Sequence, residues 1–176
     1  GKDIVKKQIE KNKTLNEDNT FNALVEISSG MKEKWVSSTQ NNTLVREFYM
    51  GLPRVTDSSS YPFNYGMVPG TNLPISRGGD GNPLDVLILG EPHMQGDLIK
   101  VKALGLMKMK VLGNTDDKII AVDEKSKFYR FNNVAHLNSE HPNLLKNIKI
   151  WFENHQGKNV VEFIDFGSKK EAIDLI

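Results

Sequence analysis

The segment Gly79-Asp80-Gly81-Asn82-Pro83-Leu84-Asp85 runs directly into Val86-Leu87-Ile88-Leu89, and this junction constrains the fold more than any other stretch. Glycine and proline at that density break a helix and make a tight turn. The four large aliphatic residues that follow read as a buried strand, which fixes the direction in which the turn is left. Asp80, Asn82 and Asp85 therefore stand on a turn braced by a strand. Hard divalent cations such as Mg²⁺ want converging oxygen ligands, and a braced turn can present them. The same residues are common turn formers in any polar hairpin, so the other motifs of the chain must decide between the two readings.

The rest of the chain reads as short strands followed by helices. Runs of β-branched and aromatic residues separated by Ser, Asn and Gly predict strands at 23–27, 34–36 and 43–48. Further strands are expected at 85–89, 98–104, 105–111, 118–123 and 159–164. Residues 51–84 carry five of the seven prolines and predict irregular structure, of the kind that tends to be functional. Leu144, Leu145, Ile148, Trp151 and Phe152 repeat at three- and four-residue spacing behind Pro142, which predicts a helix over 142–156. Ser168 and Glu171 form a capping box for a short terminal helix. Residues 1–20 read as a short helix or a frayed arm. The expected fold class is α+β, one domain over 1–176, with six or seven short strands in a closed or nearly closed barrel and helices at the C-terminal end.

Composition removes whole classes of function. The net charge of +1, from 23 basic and 22 acidic side chains, argues against a nucleic-acid protein whose affinity comes from a basic surface. No apolar run approaches the roughly 18–20 residues of a membrane span. The absence of cysteine excludes disulfides, thiolate zinc sites and cysteine nucleophiles. The default location is cytoplasmic, and an export signal removed upstream of Gly1 stays open.

Four segments, read together, carry chemistry: Asp80-Gly81-Asn82-Pro83-Leu84-Asp85-Val86-Leu87, Tyr61-Pro62-Phe63-Asn64-Tyr65-Gly66 through Pro69, Lys102-Ala103-Leu104-Gly105, and Asp116-Asp117-Lys118. With Glu26 and Lys34 on the first strands, this ordered set resembles the soluble family I inorganic pyrophosphatases over residues 22 to 167. The resemblance implies an OB-like twisted five-stranded barrel with the site at its mouth. It also implies hydrolysis of pyrophosphate to two phosphates with Mg²⁺ (Mn²⁺ as a substitute) and a homo-oligomer, hexamer or dimer. Carried over by position, Asp80, Asp85 and Asp116 would hold the metal, Asp85 reaching a second ion, with Glu26 supporting the metal or water shell. Lys34, Arg54 and Lys118 would bind phosphate oxygens and neutralise developing charge, and Tyr65 would hydrogen-bond in the site. Arg46 competes with Arg54, which is favoured for its place nearer the Tyr61 element. His93, His136 and His141 show no ligand spacing.

Five positions depart from the family pattern. Asn82 stands where the family has the aspartate that takes a proton from the attacking water, and an amide is no base at neutral pH. Val111 replaces a ligand aspartate, His155 and Gln156 replace a phosphate-binding tyrosine and lysine, and Val36 replaces a glutamate. Protonated His155 would restore part of the lost positive charge. The expected outcome is a weakened pyrophosphatase, the alternative an inactive relative that binds phosphate ligands or a protein partner.

Overall fold

The computed structural model describes residues 15–31, 35–37, 44–46, 48–49, 52–53, 60–71, 82–155 and 159–176. Strand β1 (Thr20–Ile27) is followed by two small antiparallel pairs, β2 (Trp35–Ser37) with β3 (Leu44–Arg46) and β4 (Phe48–Tyr49) with β5 (Leu52–Pro53). Then come β6 (Asn64–Met67), β7 (Asp85–Leu89), β8 (Leu98–Val111), β9 (Asn114–Thr115) and β10 (Lys118–Asp123). Helices α1 (Val134–Glu140) and α2 (Pro142–His155), strand β11 (Val161–Gly167) and helix α3 (Lys169–Leu175) complete the order. The pairings β1–β6, β6–β7, β7–β10, β10–β8 and β8–β1 return to their start, so five strands close into a ring. Only β7–β10 is parallel in that ring. The α+β class and the five-strand closure agree with the sequence reading. No helix among the described residues is long and apolar enough to cross a membrane.

The differences from the sequence reading have local causes. The two strands expected at 98–104 and 105–111 are one strand of 14 residues. Gly105 suggests a break there, but its missing side chain serves packing. A Cβ would lie 2.6 Å from Val134 Cγ1 and 2.8 Å from the Gly167 carbonyl. The Tyr61–Gly66 element is not wholly irregular either, because β6 inserts between β1 and β7. Gly66 permits it: a Cβ would sit 1.9 Å from the Leu24 carbonyl oxygen. Helix α1 is an element the periodicity did not reveal. It is only seven residues long and is set by Asn133, whose side chain caps the His136 amide. The terminal helix has both bonds of the expected capping box. The expected N-terminal helix or arm lies, up to residue 14, outside the described residues.

Strand alternation sends the apolar side chains to two clusters on opposite faces of the same strands. Leu87, Leu89, Ile120, Val122, Met107 and Met109 share one face with Leu145, Ile148, Trp151 and Phe152 of α2. Val86, Ile88, Ile119, Ala121, Val101 and Ala103 lie on the other, with Ala172 of α3. Asp85 is two residues before Leu87, and Lys118 two before Ile120. Both polar side chains thus emerge on the face that α2 covers.

The β8–β9 hairpin turns through Leu112 (φ 50°) and Gly113 (φ 85°). Two positive φ angles are what a tight two-residue hairpin requires. A leucine in that conformation is strained by about 1–2 kcal/mol, and here it is also 76% exposed. Leu112→Asn should therefore stabilise the protein by about 1 kcal/mol in a urea titration. An unchanged or lower midpoint would contradict the strain.

Candidate active site

The parallel register of β7 and β10 sets Asp85 beside Lys118 as Cα partners. The Lys118 ammonium lies 2.5 Å from Asp85 Oδ2 and 2.9 Å from Asp116 Oδ1, with its side chain 4% exposed. Two carboxylates, one from the start of β7 and one from the turn before β10, thus converge on one buried cation. Burial works against that charge, but the two acids outweigh it and hold the Lys118 pKa above the ordinary lysine value. Both carboxylates keep about a quarter of their side-chain surface in solvent, so the cluster is reachable from outside.

The turn that carries Asp116 is pinned from both sides. The Asp116 amide donates to the Met109 carbonyl at 2.9 Å, and Asp117 Oδ1 accepts from the Met109 amide at 3.3 Å. Asp117 is thereby engaged with backbone, and burial raises its pKa. Tyr65, opposite Leu87 in β6, places its ring 5.4 Å from the Lys118 ammonium. Burial, and after it the charges of Asp85 and Asp116, push the Tyr65 pKa well above the usual phenol value. Tyr61 and Glu26 add smaller contributions in the same direction. Glu26 is itself buried in β1.

Behind Tyr65 stands a wall of rings. Tyr61 lies 5.7 Å from Tyr65, 4.6 Å from Trp151 and 6.0 Å from His155, centroid to centroid. Phe63 stacks on Phe152 at 5.4 Å, and Trp151 Nε1 donates to the Ser60 carbonyl at 3.2 Å. The helix α2 periodicity thus docks this helix against the Tyr61 element. His155 is buried among Tyr61, Trp151 and Phe152, one ring removed from Tyr65.

Asn64 is a residue the sequence reading passed over. It is wholly buried. Its Oδ1 accepts from the amides of Ser29 (3.1 Å) and His93 (2.9 Å), and its Nδ2 donates to the Glu91 carbonyl (3.0 Å). One amide thus joins the exits of β1 and β7 next to Tyr65. Its place beside Tyr65 in the motif was the only available signal, because the partners are 27 to 35 residues away.

The structure brings together Asp85, Asp116, Lys118 and Tyr65, with Glu26 close enough to act on Tyr65. Asp80, Lys34, Arg54 and Gln156 lie outside the described residues, as do the side chains of Arg46 and Val36. Asn82 is exposed, and Val111 is half-buried at the end of β8, against the helix-covered cluster. Among the described residues, no three His, Asp or Glu side chains gather as a cation cage. The donor chemistry still suits a hard divalent cation. Asp85 and Asp116 offer carboxylate oxygens and already share one cation, the Lys118 ammonium.

The inorganic pyrophosphatase family model matches residues 23–176. A soluble inorganic pyrophosphatase of Zea mays is 37% identical over 161 residues, covering 87% of this chain and 69% of the maize protein. The inorganic pyrophosphatase of Sulfolobus acidocaldarius is 31% identical, covering 92% of this chain and 90% of that one. Among solved structures, the inorganic pyrophosphatase of Schistosoma japonicum superposes with a TM-score of 0.85 at 26% identity, covering 91% of this chain. This chain spans 64% of the S. japonicum chain, less than two thirds of its length. By its family match, its relatives and its closed five-strand ring, the chain belongs to the inorganic pyrophosphatase family.

Proposed function

We propose that this protein hydrolyses inorganic pyrophosphate to two phosphates at the Asp85–Asp116–Lys118 cluster, with a turnover lowered by its substituted positions. The observation that carries this reading is the buried Lys118 ammonium shared by two carboxylates from different segments, beside Tyr65. Pyrophosphate is a dense polyanion, and its transfer chemistry is mainly positioning and charge neutralisation. Asp85 and Asp116, with Asp80, hold Mg²⁺ or Mn²⁺, and Glu26 supports the surrounding water. A cation held there would supply Lewis-acid polarisation of phosphoryl oxygens and offset their charge. Lys118, Lys34 and Arg54 bind phosphate oxygens, and Tyr65 offers a neutral phenol to them. His155 serves the substrate through the ring wall it completes. Cytoplasmic location and a homo-oligomer, hexamer or dimer, belong to the same reading.

Asn82 cannot accept a proton from water, and loss of a general base costs about 10²- to 10⁴-fold in rate. Val111 contributes no oxygen ligand, and His155 and Gln156 weaken phosphate binding. An exposed turn position such as Asn82 accepts a carboxylate without disturbing the core. A second reading is a pyrophosphate-binding protein without turnover, which the amide at position 82 favours.

Phosphate release in a Mg²⁺-dependent assay tests the proposal. Asp85→Asn should reduce kcat/KM by about 10²-fold or more, as expected for a group that grips the cation; equal activity in variant and parent would remove Asp85 from the site. Asn82→Asp with Val111→Asp should raise kcat by about 10²- to 10⁴-fold. If the parent binds pyrophosphate without turnover and the double variant recovers hydrolysis, the second reading stands instead. The Tyr65 phenol should keep its proton in the native state as pH rises past the ordinary tyrosine value of about 10. Its contribution to stability is complete below that value and is lost as pH climbs towards the raised native one. A phenolate absorbance titration of the folded protein checks this: at least one tyrosine fewer should ionise than after unfolding, and full ionisation in the native state would contradict the burial of Tyr65.

A further inference from the structure

We infer that Lys118 is the resident counter-ion of the cation site, which yields its carboxylates to a divalent cation and is thereby freed to bind the anion. The inference rests on the proposed ligand roles of Asp85 and Asp116. An ammonium 2.5 and 2.9 Å from those oxygens already engages one oxygen of each acid. A doubly charged ion and an ammonium repel each other, so the two compete for the same pair of acids. Lysine suits the exchange, because its charge is a compact point on a flexible four-carbon stem. The Tyr65 ring, 5.4 Å from the ammonium, lines its immediate surroundings with an aromatic face that attracts a cation.

The charge balance sets an order of binding. Asp85, Asp116 and Lys118 together carry one net negative charge, which repels a polyanion. With a divalent cation on the carboxylates, the same group carries one net positive charge, and the lysine is released from its ion pairs. Cation binding then raises anion affinity, and by linkage the anion raises cation affinity by the same factor.

Calorimetric titration with Mn²⁺, and then with inorganic phosphate in its absence and presence, tests this on the full chain. Lys118→Gln removes the competing charge and should bind Mn²⁺ about tenfold or more tightly than the parent. Parent protein should bind phosphate about tenfold better with Mn²⁺ than without it, and the variant should lose most of that gain. If Mn²⁺ affinity is unchanged or weaker in Lys118→Gln but abolished by Asp85→Asn, the cation site stands and the counter-ion role falls. If neither the parent nor Lys118→Gln binds Mn²⁺, the proposed ligand roles and this inference fall together. Should Lys118→Gln not fold, the unaltered protein supplies the second measurement. Its Lys118 ammonium resonance, protected by two carboxylate partners, should shift or vanish into exchange on Mg²⁺ addition, and an unmoved resonance overturns the inference.

Discussion

Everything at the candidate site depends on the register between two parallel strands. Asp85 and Lys118 are Cα partners in β7 and β10, and each begins its strand. Side chains alternate along a strand, so a slip of one residue would send one of the two to the opposite face. That face is filled by Val86, Ile88, Ile119 and Ala121, where an unpaired charge would be costly. The apolar residues therefore enforce the register, and the register brings the charges together. Packing and chemistry are two consequences of one alternation.

A parallel pair also needs a long return path, and here the intervening chain has work of its own. It leaves β7 through Gly90 and Glu91, crosses β1 where Gly96 donates to the Val25 carbonyl, and returns as β8. Asn64 holds the exits of β1 and β7 at a fixed separation. Further along, the Met109 backbone groups anchor Asp116 and Asp117. The acidic turn is thus placed by β8, a strand paired with β1, β9, β10 and β11. A site built on the most connected strand of a sheet is held within narrow limits, as electrostatic binding of a small polyanion requires.

The parts legible in the sequence were those with local signatures. Runs of β-branched, aromatic and aliphatic residues gave β1, β7 and β10, three- and four-residue spacing gave α2, and Ser168 with Glu171 gave the cap of α3. Gly105 misled because a glycine needed for close packing and a glycine needed for a turn look the same in one dimension. What separates them is a neighbour, Val134, 29 positions away along the chain. The prolines around β6 misled for the opposite reason: composition suggests irregularity, and long-range pairing with β1 and β7 overrides it. At the site, Asp85, Asp116 and Lys118 were readable as a motif. That Lys118 would bridge the two acids was not, since the bond depends on strand order. Asn64 was invisible as a hub because each of its partners is distant in sequence.

The same geometry separates positions that can change from positions that cannot. Lys118, Asp85 and Asp116 are tied together by burial: removing either acid leaves an ammonium in the interior with half its compensation, and breaking such a pair costs about 3–5 kcal/mol. The fold therefore resists the loss of any one of the three alone. Asn82 carries no such constraint, because it is exposed on a turn, and Val111 ends a strand beside a solvent-facing hairpin. Asn82 can change its chemistry at little cost to the fold, whereas Val111 packs, half-buried, against the helix-covered cluster. The charged cluster therefore speaks first for the fold.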